Sequence, residues 1–365
     1  MSGRGLLIIL AGLFVAGSIF MVTYLQRSED LTGNLNVTYN YEAAKNIANA
    51  GAELAVNRLK NDLYWRTGFT NVNAQNGRYT VTVSDTTYDG EAAIRVISTG
   101  VANPGKSTQA TYICTVYVYR GGVPPALKAA VCTNNPIEAS GNMDIDGRNH
   151  RLDGTLVPSS GTYGIWTTKT FVRTGAADIG GTSVTRIDYS PSKTPPAAII
   201  ATGQTYPGGY PSSPDSILGG PAVGYPEGKL KQIAQSRVNG SQYTTNPASL
   251  TYPLRGVTYV ELPSGSSWIS CNIEGSGILV VHNPSVDAIM REVNSGTFRG
   301  IIVVDDILHV QTTIIGAVIG LSPLPSAGNC IGNGVGEILY SSEAIQNTTG
   351  SLAGVTGRNV MLWKE

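Results

Sequence analysis

An uninterrupted run of uncharged, mainly apolar side chains near the N-terminus constrains this chain more than any other feature. The run covers residues 6–25 and follows a short segment, residues 1–5, whose one basic residue is Arg4. Twenty helical residues at about 1.5 Å rise per residue span roughly 30 Å, the thickness of the hydrocarbon core of a bilayer. The run therefore predicts one membrane-spanning helix.

Two other interpretations of this run are a cleaved signal peptide and a buried core helix. A signal peptide has a shorter apolar stretch and a small-x-small cleavage site, whereas residues 24–28 read Tyr-Leu-Gln-Arg-Ser. A core helix that is apolar on every side needs a large protein around it. We therefore expect an inner-membrane anchor, with the body of the protein in the periplasm or outside the cell.

The apolar run continues into an amphipathic pattern, which predicts one helix over residues 6–63. Apolar and small residues recur at spacings of three and four, which is the period of one helix face. The positions expected to pack are Ile47, Gly51, Leu54, Ala55 and Leu59. Small side chains allow close approach either by a helix of another subunit or by the chain's own sheet, and the sequence leaves both open.

This N-terminal part resembles the type IV pilin superfamily, and within it the large minor pilins and pseudopilins. The resemblance is carried by a short basic leader, a glycine before an apolar span, and a continuous helix that ends in a small-residue segment. That segment often reads A-x-x-x-A-x-A-G-x-E-x-A in the family. The matching positions here are Ala44, Ala48, Ala50, Gly51, Glu53 and Ala55.

The resemblance covers roughly the first 65 residues and implies assembly with other pilin-like subunits through the helix. It also implies removal of the leader after Gly3 or Gly5, the two glycines before the span. Family members usually carry a Glu five residues into the mature chain, and neither glycine is followed by one. That difference favours a minor or tip subunit over the repeating subunit of a filament.

A period of two replaces the helical period in residues 64–122. Residues 77–84, 92–98 and 107–119 alternate apolar and polar side chains and are separated by Asp-Gly or Asn-Pro-Gly turns. We therefore expect a small antiparallel sheet laid against the helix, which makes the fold class α+β. The Gly121–Pro125 segment ends this domain because no helix crosses its prolines.

The second domain, residues 123–365, contains continuous apolar segments about twenty residues apart, of the kind found in buried parallel strands. We expect a parallel β-helix, with a two-sheet sandwich as the alternative. The clearest segments are residues 276–281, 298–306, 313–320 and 334–340.

A long excursion rich in Pro, Gly, Ser and Tyr, residues 203–254, interrupts this domain. Its repeated Tyr-Pro pairs either present aromatic rings to a surface or glycan ligand or cover the core beneath the loop. The pairs begin at Tyr206, Tyr210, Tyr225 and Tyr252.

Four widely spaced cysteines, Cys114, Cys132, Cys271 and Cys330, allow three disulfide connectivities if all of them pair. A bridge between Cys114 and Cys132 closes the shortest loop. Buried unpaired thiols are the alternative.

One cluster of oxygen side chains has a spacing that suits Ca²⁺, the only cofactor the sequence suggests. It consists of Asp144, Asp146, Asn149 and Asp153. The alternative is that these residues cap turns between strands by bonding to nearby backbone N–H groups.

The charge pattern and the motifs argue against two classes of function. The formal net charge is zero and no basic stripe is present, so we expect no nucleic-acid partner. Three histidines occur, none in a nucleophile, zinc-protease or phosphate-loop motif. Asp305 and Asp306 with His309 suggest a carboxylate dyad of the kind found in β-helical carbohydrate enzymes. Adjacent strand residues point to opposite faces, so at most one of the two carboxylates serves a given groove and we expect no enzyme.

We therefore expect a structural subunit of an envelope filament or secretion pseudopilus that displays a β-rich head outside the cell. The alternative is a membrane-anchored adhesin that binds a glycan or surface without joining a filament.

Overall fold

The computed structural model of the chain describes residues 3–61, 65–88, 91–119, 121–324, 330–355 and 360–364. It divides into two compact units. Unit 1 comprises Met1–Val118 and Val360–Glu365, and unit 2 comprises Tyr119–Asn359. The chain therefore leaves unit 1 once, forms unit 2, and returns to unit 1.

Unit 1 combines one long helix with a five-stranded sheet of order β1-β2-β3-β4-β25. The pairs β1–β2, β2–β3 and β4–β25 are antiparallel. The elements are α1 (Gly3–Asn61), β1 (Phe69–Ala74), β2 (Gly77–Tyr88), β3 (Glu91–Ala102), β4 (Ala110–Tyr119) and β25 (Val360–Lys364). The long helix and the small antiparallel sheet predicted from the sequence are both present.

Alternation along the strands builds the core of unit 1, because every second side chain of a strand points to the same face. Val81 in β2, Val96 in β3 and Val116 in β4 are buried in one cluster with residues of α1. The C-terminal strand corrects the predicted boundary, which placed all of residues 123–365 in the second domain. β25 pairs with β4, and a five-residue segment carries no local signal for a partner so distant in sequence.

Unit 2 is mainly β and contains short strands joined by tight turns. The strands in its first part are β5 (Ala129–Thr133), β6 (Ile137–Gly141), β7 (Asp144–Asp146), β8 (Asn149–His150), β9 (Leu156–Val157), β10 (Tyr163–Thr167), β11 (Phe171–Arg173), β12 (Asp178–Thr182), β13 (Asp188–Ser192) and β14 (Ile200–Ala201). Helices α2 (Pro214–Ile217) and α3 (Lys229–Ser236) follow within the excursion.

The second part of unit 2 contains longer strands and one helix. They are β15 (Gln242–Thr244), β16 (Val257–Glu261), β17 (Ser267–Asn272), β18 (Gly275–His282), β19 (Ile289–Ser295), β20 (Thr297–Val304), β21 (Asp306–Val310), β22 (Thr313–Gly320), β23 (Cys330–Gly334), β24 (Glu337–Tyr340) and α4 (Ser342–Val355).

Consecutive strands of this second part alternate between two sheets. β16, β18, β20 and β22 are parallel neighbours in one sheet, and β17, β19, β21 and β23 are parallel neighbours in the other. Each circuit of the chain therefore adds one strand to each sheet. Close stacking requires glycine at Gly277 and Gly300, where φ is positive. A Cβ on Gly277 would collide with the carbonyl oxygen of Gly256, and a Cβ on Gly300 with that of Gly277.

The excursion connects opposite edges of this stack. Along the first sheet the strands follow the order β14-β10-β5-β22-β20-β18-β16-β15, so the chain ends β14 at one edge and begins β15 at the other. Seven strand spacings of about 4.8 Å separate these edges by roughly 34 Å. The excursion is therefore long because it crosses the stack. Later in the chain, β22 pairs with β5 and β23 pairs with β6.

Candidate functional site

The N-terminal part of α1 has no partner within the described chain. All described side chains in residues 8–39 are exposed, and we call this part the exposed segment. Large apolar side chains occur throughout it, with Phe14 78% and Leu35 70% exposed. α1 is the one helix among the described residues that is long and apolar enough to cross a membrane.

The exposed segment extends beyond the membrane-spanning run. Leu31, Leu35 and Tyr39 are spaced four residues apart, so they lie along one face of the helix. Residues 26–39 alone account for about 21 Å of helix at the standard rise. Isolated helices of this length are marginal in water.

The C-terminal part of α1, residues 40–59, packs against its own sheet, and we call it the packed segment. Ala48, Ala55 and Leu59 are fully buried there. A Cβ on Gly51 would lie 2.6 Å from Ser98 Oγ and 2.9 Å from the Tyr79 ring. Of the two partners left open for the small-residue face, the structure therefore shows the chain's own sheet.

Four of the five predicted packing residues lie on this buried face, and one does not. Ile47, Gly51, Ala55 and Leu59 are buried, whereas Leu54 is 48% exposed. Leu54 precedes Ala55 by one residue, a rotation of about 100° around the helix, which turns its side chain toward solvent. The processing candidates Gly3 and Gly5 both lie within α1, and their cleavage stays a prediction.

The structure does not bring the four predicted calcium ligands to one point. Asp146 accepts hydrogen bonds from the Arg148 guanidinium, and Asn149 Nδ2 donates to Ser160 Oγ. Asp153 caps its own turn by accepting from Thr155. The turn-capping interpretation therefore describes Asp153, and among the described residues no group of three or more His, Cys, Asp or Glu is placed to hold a metal ion.

Asp144 has acidic neighbours that the sequence did not suggest. The parallel register aligns it with Asp178 on one side and Glu337 on the other. Burial, followed by repulsion from Asp178 and Glu337, raises the pKa of Asp144 above its ordinary value. These carboxyls meet through strand register and not through nearness in sequence.

The cysteines of unit 2 for which side chains are described are buried free thiols. Burial raises the pKa of Cys132 and of Cys271 to about 12, so both stay protonated at neutral pH. Cys132 is a free thiol packed in the core of unit 2, so of the two alternatives that the sequence left open, the structure shows the unpaired buried thiol and not a bridge from Cys132 to Cys114. Cys114 is buried in unit 1, and the Cys330 side chain lies outside the described residues.

Most of the tyrosines of the Tyr-Pro pairs cover the core of unit 2. Tyr206, Tyr210 and Tyr225 pack against it while partly buried. The Tyr210 ring stacks on Trp166 at 5.9 Å between centroids, and Tyr206 meets the same ring edge-on at 6.3 Å. Only Tyr252 of the four is exposed, so the covering role describes the other three.

A histidine–carboxylate pair lies at the C-terminal ends of three neighbouring parallel strands. His282 Nδ1 is 2.6 Å from Asp305 Oδ1, and the backbone N–H groups of Asn283 and Ala288 donate to Asp305 Oδ2. Glu261 is the register partner of His282 on the next strand. The described chain offers no hydrogen bond to His282 Nε2, which is available to accept one.

Glu261 is itself held by two donors. Its Oε2 accepts from the Tyr243 hydroxyl at 2.6 Å and from Lys231 Nζ at 2.7 Å. Burial would raise the pKa of Glu261, but the hydrogen bonds from Lys231 and Tyr243 outweigh it and hold the pKa below its ordinary value. Of the predicted cluster of Asp305, Asp306 and His309, Asp305 bonds to His282, whereas Asp306 accepts from the backbone N–H of Ile307.

A cleft of about 370 Å³ lies at the other, N-terminal ends of the same strands. Arg255 and Arg299 both line it, together with Glu274 and Ser276. The register aligns Ser276 with Arg299 on one side, and the pairing of Leu254 with Gly275 aligns it with Arg255 on the other. Three successive strands therefore present Arg, Ser and Arg in one row.

Sequence reasoning missed both groups because their members lie more than twenty residues apart. Asp305 follows His282 by 23 residues, and the parallel register alone brings them together. The spacing of about twenty residues between apolar segments was the sequence signal for these groups, because the offset between neighbouring strands determines which polar residues align.

Comparison of the chain with protein-family models, with curated proteins and with solved structures found no match. By its fold, the chain is a mainly β protein of two units with one N-terminal helix that is long and apolar enough to span a membrane.

Proposed function

We propose that the chain is a minor or tip subunit of an envelope filament or secretion pseudopilus, built in the manner of the type IV pilins. The observation that carries the proposal is the division of α1. Its packed segment lies on an antiparallel sheet, whereas its exposed segment presents apolar side chains on every side over residues 8–25 and along one face beyond them. Such a helix suits a subunit that sits in a membrane before assembly and in a helical bundle afterwards.

The chemistry of the exposed segment supports a helix as its partner. During assembly the apolar surface of residues 8–25 exchanges contacts with lipid for contacts with neighbouring helices. Beyond the span, Arg27 lies one turn or less from Glu29 and Asp30. Copies or related helices that pack side by side with an axial shift then place opposite charges together, which favours a defined register.

We further propose that unit 2 is a parallel β-helix that forms the outward-facing head. The support is the parallel pairing of successive strands and their alternation between two sheets. A β-sandwich is built mainly from antiparallel pairs, which this region lacks in its longer strands. The head adds bulk and surface to the subunit, and its location is the periplasm or the cell exterior.

The processing of the N-terminus tests this proposal. N-terminal mass spectrometry is made on the protein from its native envelope, with and without the prepilin peptidase of the host. We expect a mature chain that begins just after Gly3 or Gly5 and keeps the apolar helix, and that depends on the peptidase. An intact Met1, or loss of the whole run to about Tyr24, would contradict the proposal.

A further inference from the structure

The cleft at the N-terminal ends of β16, β18 and β20 has the geometry of a small-molecule site. Its volume of about 370 Å³ lies within the range of roughly 300–1,000 Å³ that such sites occupy. Arg255 and Arg299 stand two strands apart, with Ser276 in the row between them. Two strand spacings place their Cα atoms about 9.6 Å apart, which leaves room for one small group above Ser276.

No described residue neutralises the two guanidinium groups by an ion pair. Arg255 makes no hydrogen bond or ion pair with any described residue, and Arg299 donates only its Nε–H, to the carbonyl oxygen of Leu152. That bond orients the Arg299 fork and leaves its terminal N–H groups free to donate. Glu274 forms no ion pair with either arginine, because its carboxylate accepts from the backbone N–H of Thr297 instead.

We propose that this cleft binds a saccharide that carries a carboxylate, of the uronic acid type. A carboxylate between two guanidinium groups accepts the charge-assisted, forked hydrogen bonds that arginine forms best. Sugar hydroxyls donate to Glu274 and exchange hydrogen bonds with Ser276. Pro253, which is exposed at the cleft, supplies the apolar wall on which the ring carbons rest.

A saccharide fits this lining better than a simple anion. Inorganic phosphate or acetate would use the arginines and leave the carboxylate and the apolar wall without a role. An acidic sugar uses all three kinds of contact at once. The inference rests on the proposed function in one respect, since a saccharide of the cell exterior reaches the cleft only if unit 2 faces outward.

Isothermal titration of the full chain in detergent micelles tests the inference. The probes are trimers of galacturonic, glucuronic and mannuronic acid, with a neutral galactose trimer, acetate and inorganic phosphate for comparison. We expect at least one uronate trimer to bind about tenfold or more tightly than galactose trimer, acetate or phosphate. Raising the salt concentration from 50 to 500 mM should weaken that binding, because screening reduces charge attraction.

Variants locate the binding. Arg255→Gln and Arg299→Gln should each weaken uronate binding about tenfold or more. Arg237→Gln removes the same charge from an exposed arginine outside the cleft and should leave the affinity unchanged. Thermal unfolding of each variant establishes that it is folded, and Arg255, whose side chain makes no bond in the chain, tests the cleft even if Arg299→Gln unfolds.

Three results would overturn the inference. They are no binding of any uronate trimer, equal affinity for acetate or phosphate, and unchanged uronate affinity in Arg255→Gln. The titration does not require assembly. If no uronate binds, the filament proposal is therefore unaffected. If the N-terminus is not processed, a measured affinity at the cleft is unaffected.

Discussion

The two segments of α1 belong to one continuous helix and differ in what surrounds them. In the packed segment the small residues meet a sheet, and Gly51 has no room for a Cβ. In the exposed segment Gly12, Gly17 and Gly33 have no heavy atom within 4 Å of an added Cβ. The fold of unit 1 explains the first arrangement, whereas no described residue packs against the glycines of the second.

The same residue types therefore serve two purposes along one helix. Burial fixes the packed segment through contacts within the chain. The described side chains of the exposed segment are all exposed, so we expect changes in its apolar side chains to leave the stability of unit 1 nearly unchanged. Matched substitutions in the two segments test whether they differ in this way.

The largest difference is expected for leucine truncation. Leu59→Ala removes a fully buried side chain and should lower the free energy of unfolding of unit 1 by about 3 kcal/mol, through lost burial and the cavity left behind. Leu35→Ala, its matched control, should change this free energy by less than about 0.5 kcal/mol. Urea denaturation with hydrogen-exchange mass spectrometry reports unit 1 separately, and equal losses would contradict the division of α1.

Alkaline pH tests the effect of burial independently, in unit 2. Between pH 9 and 12 the unfolded chain loses the proton of Cys132 while the folded chain keeps it, because burial raises the pKa from 9.0 to about 12. Stability is therefore full below pH 9 and falls as the pH rises, by about 2 kcal/mol at pH 10.5 for this thiol. Cys132→Ala should make the pH slope shallower, and an unchanged slope would show that this thiol is not buried.

A smaller effect is expected from matched glycine substitutions in α1. Gly51→Ala should destabilise unit 1 by about 1 to 2 kcal/mol, because the new methyl group collides with Ser98 and Tyr79. Gly33→Ala meets open space and should stabilise the helix by about 0.5 to 1 kcal/mol, the difference in helix propensity. Opposite signs in thermal unfolding support the comparison, and a loss of stability in both variants would contradict it.

The sequence predicted those parts of the fold that have a local period. The apolar run and the small-residue face predicted α1, and alternation predicted the strands that became β2, β3 and β4. Leu54 shows the limit of this reasoning, since the helical period indicated an apolar face but not the rotation at which the sheet would meet it.

The remaining features depend on contacts between distant residues, which no local pattern specifies. β25 pairs with β4 although the whole of unit 2 lies between these strands in sequence. The excursion is long because it links opposite edges of the stack. The row of Arg255 and Arg299 and the pair of His282 and Asp305 can be recognised only when the strand register is known. The calcium cluster was predicted from nearness in sequence, and the structure engages its members in separate local bonds.

Site-specific photo-crosslinking at Leu35 in the native envelope tests whether the exposed segment packs against the helix of another subunit. A photoreactive residue at Leu35 should crosslink to the N-terminal helix of another pilin-like subunit, while the same residue at Ile113, exposed on the sheet of unit 1, should not. A protein crosslink at Leu35 that maps to such a helix would support a filament subunit. Crosslinks to lipid alone, or the same products from both positions, would contradict it and leave an anchored protein outside any filament.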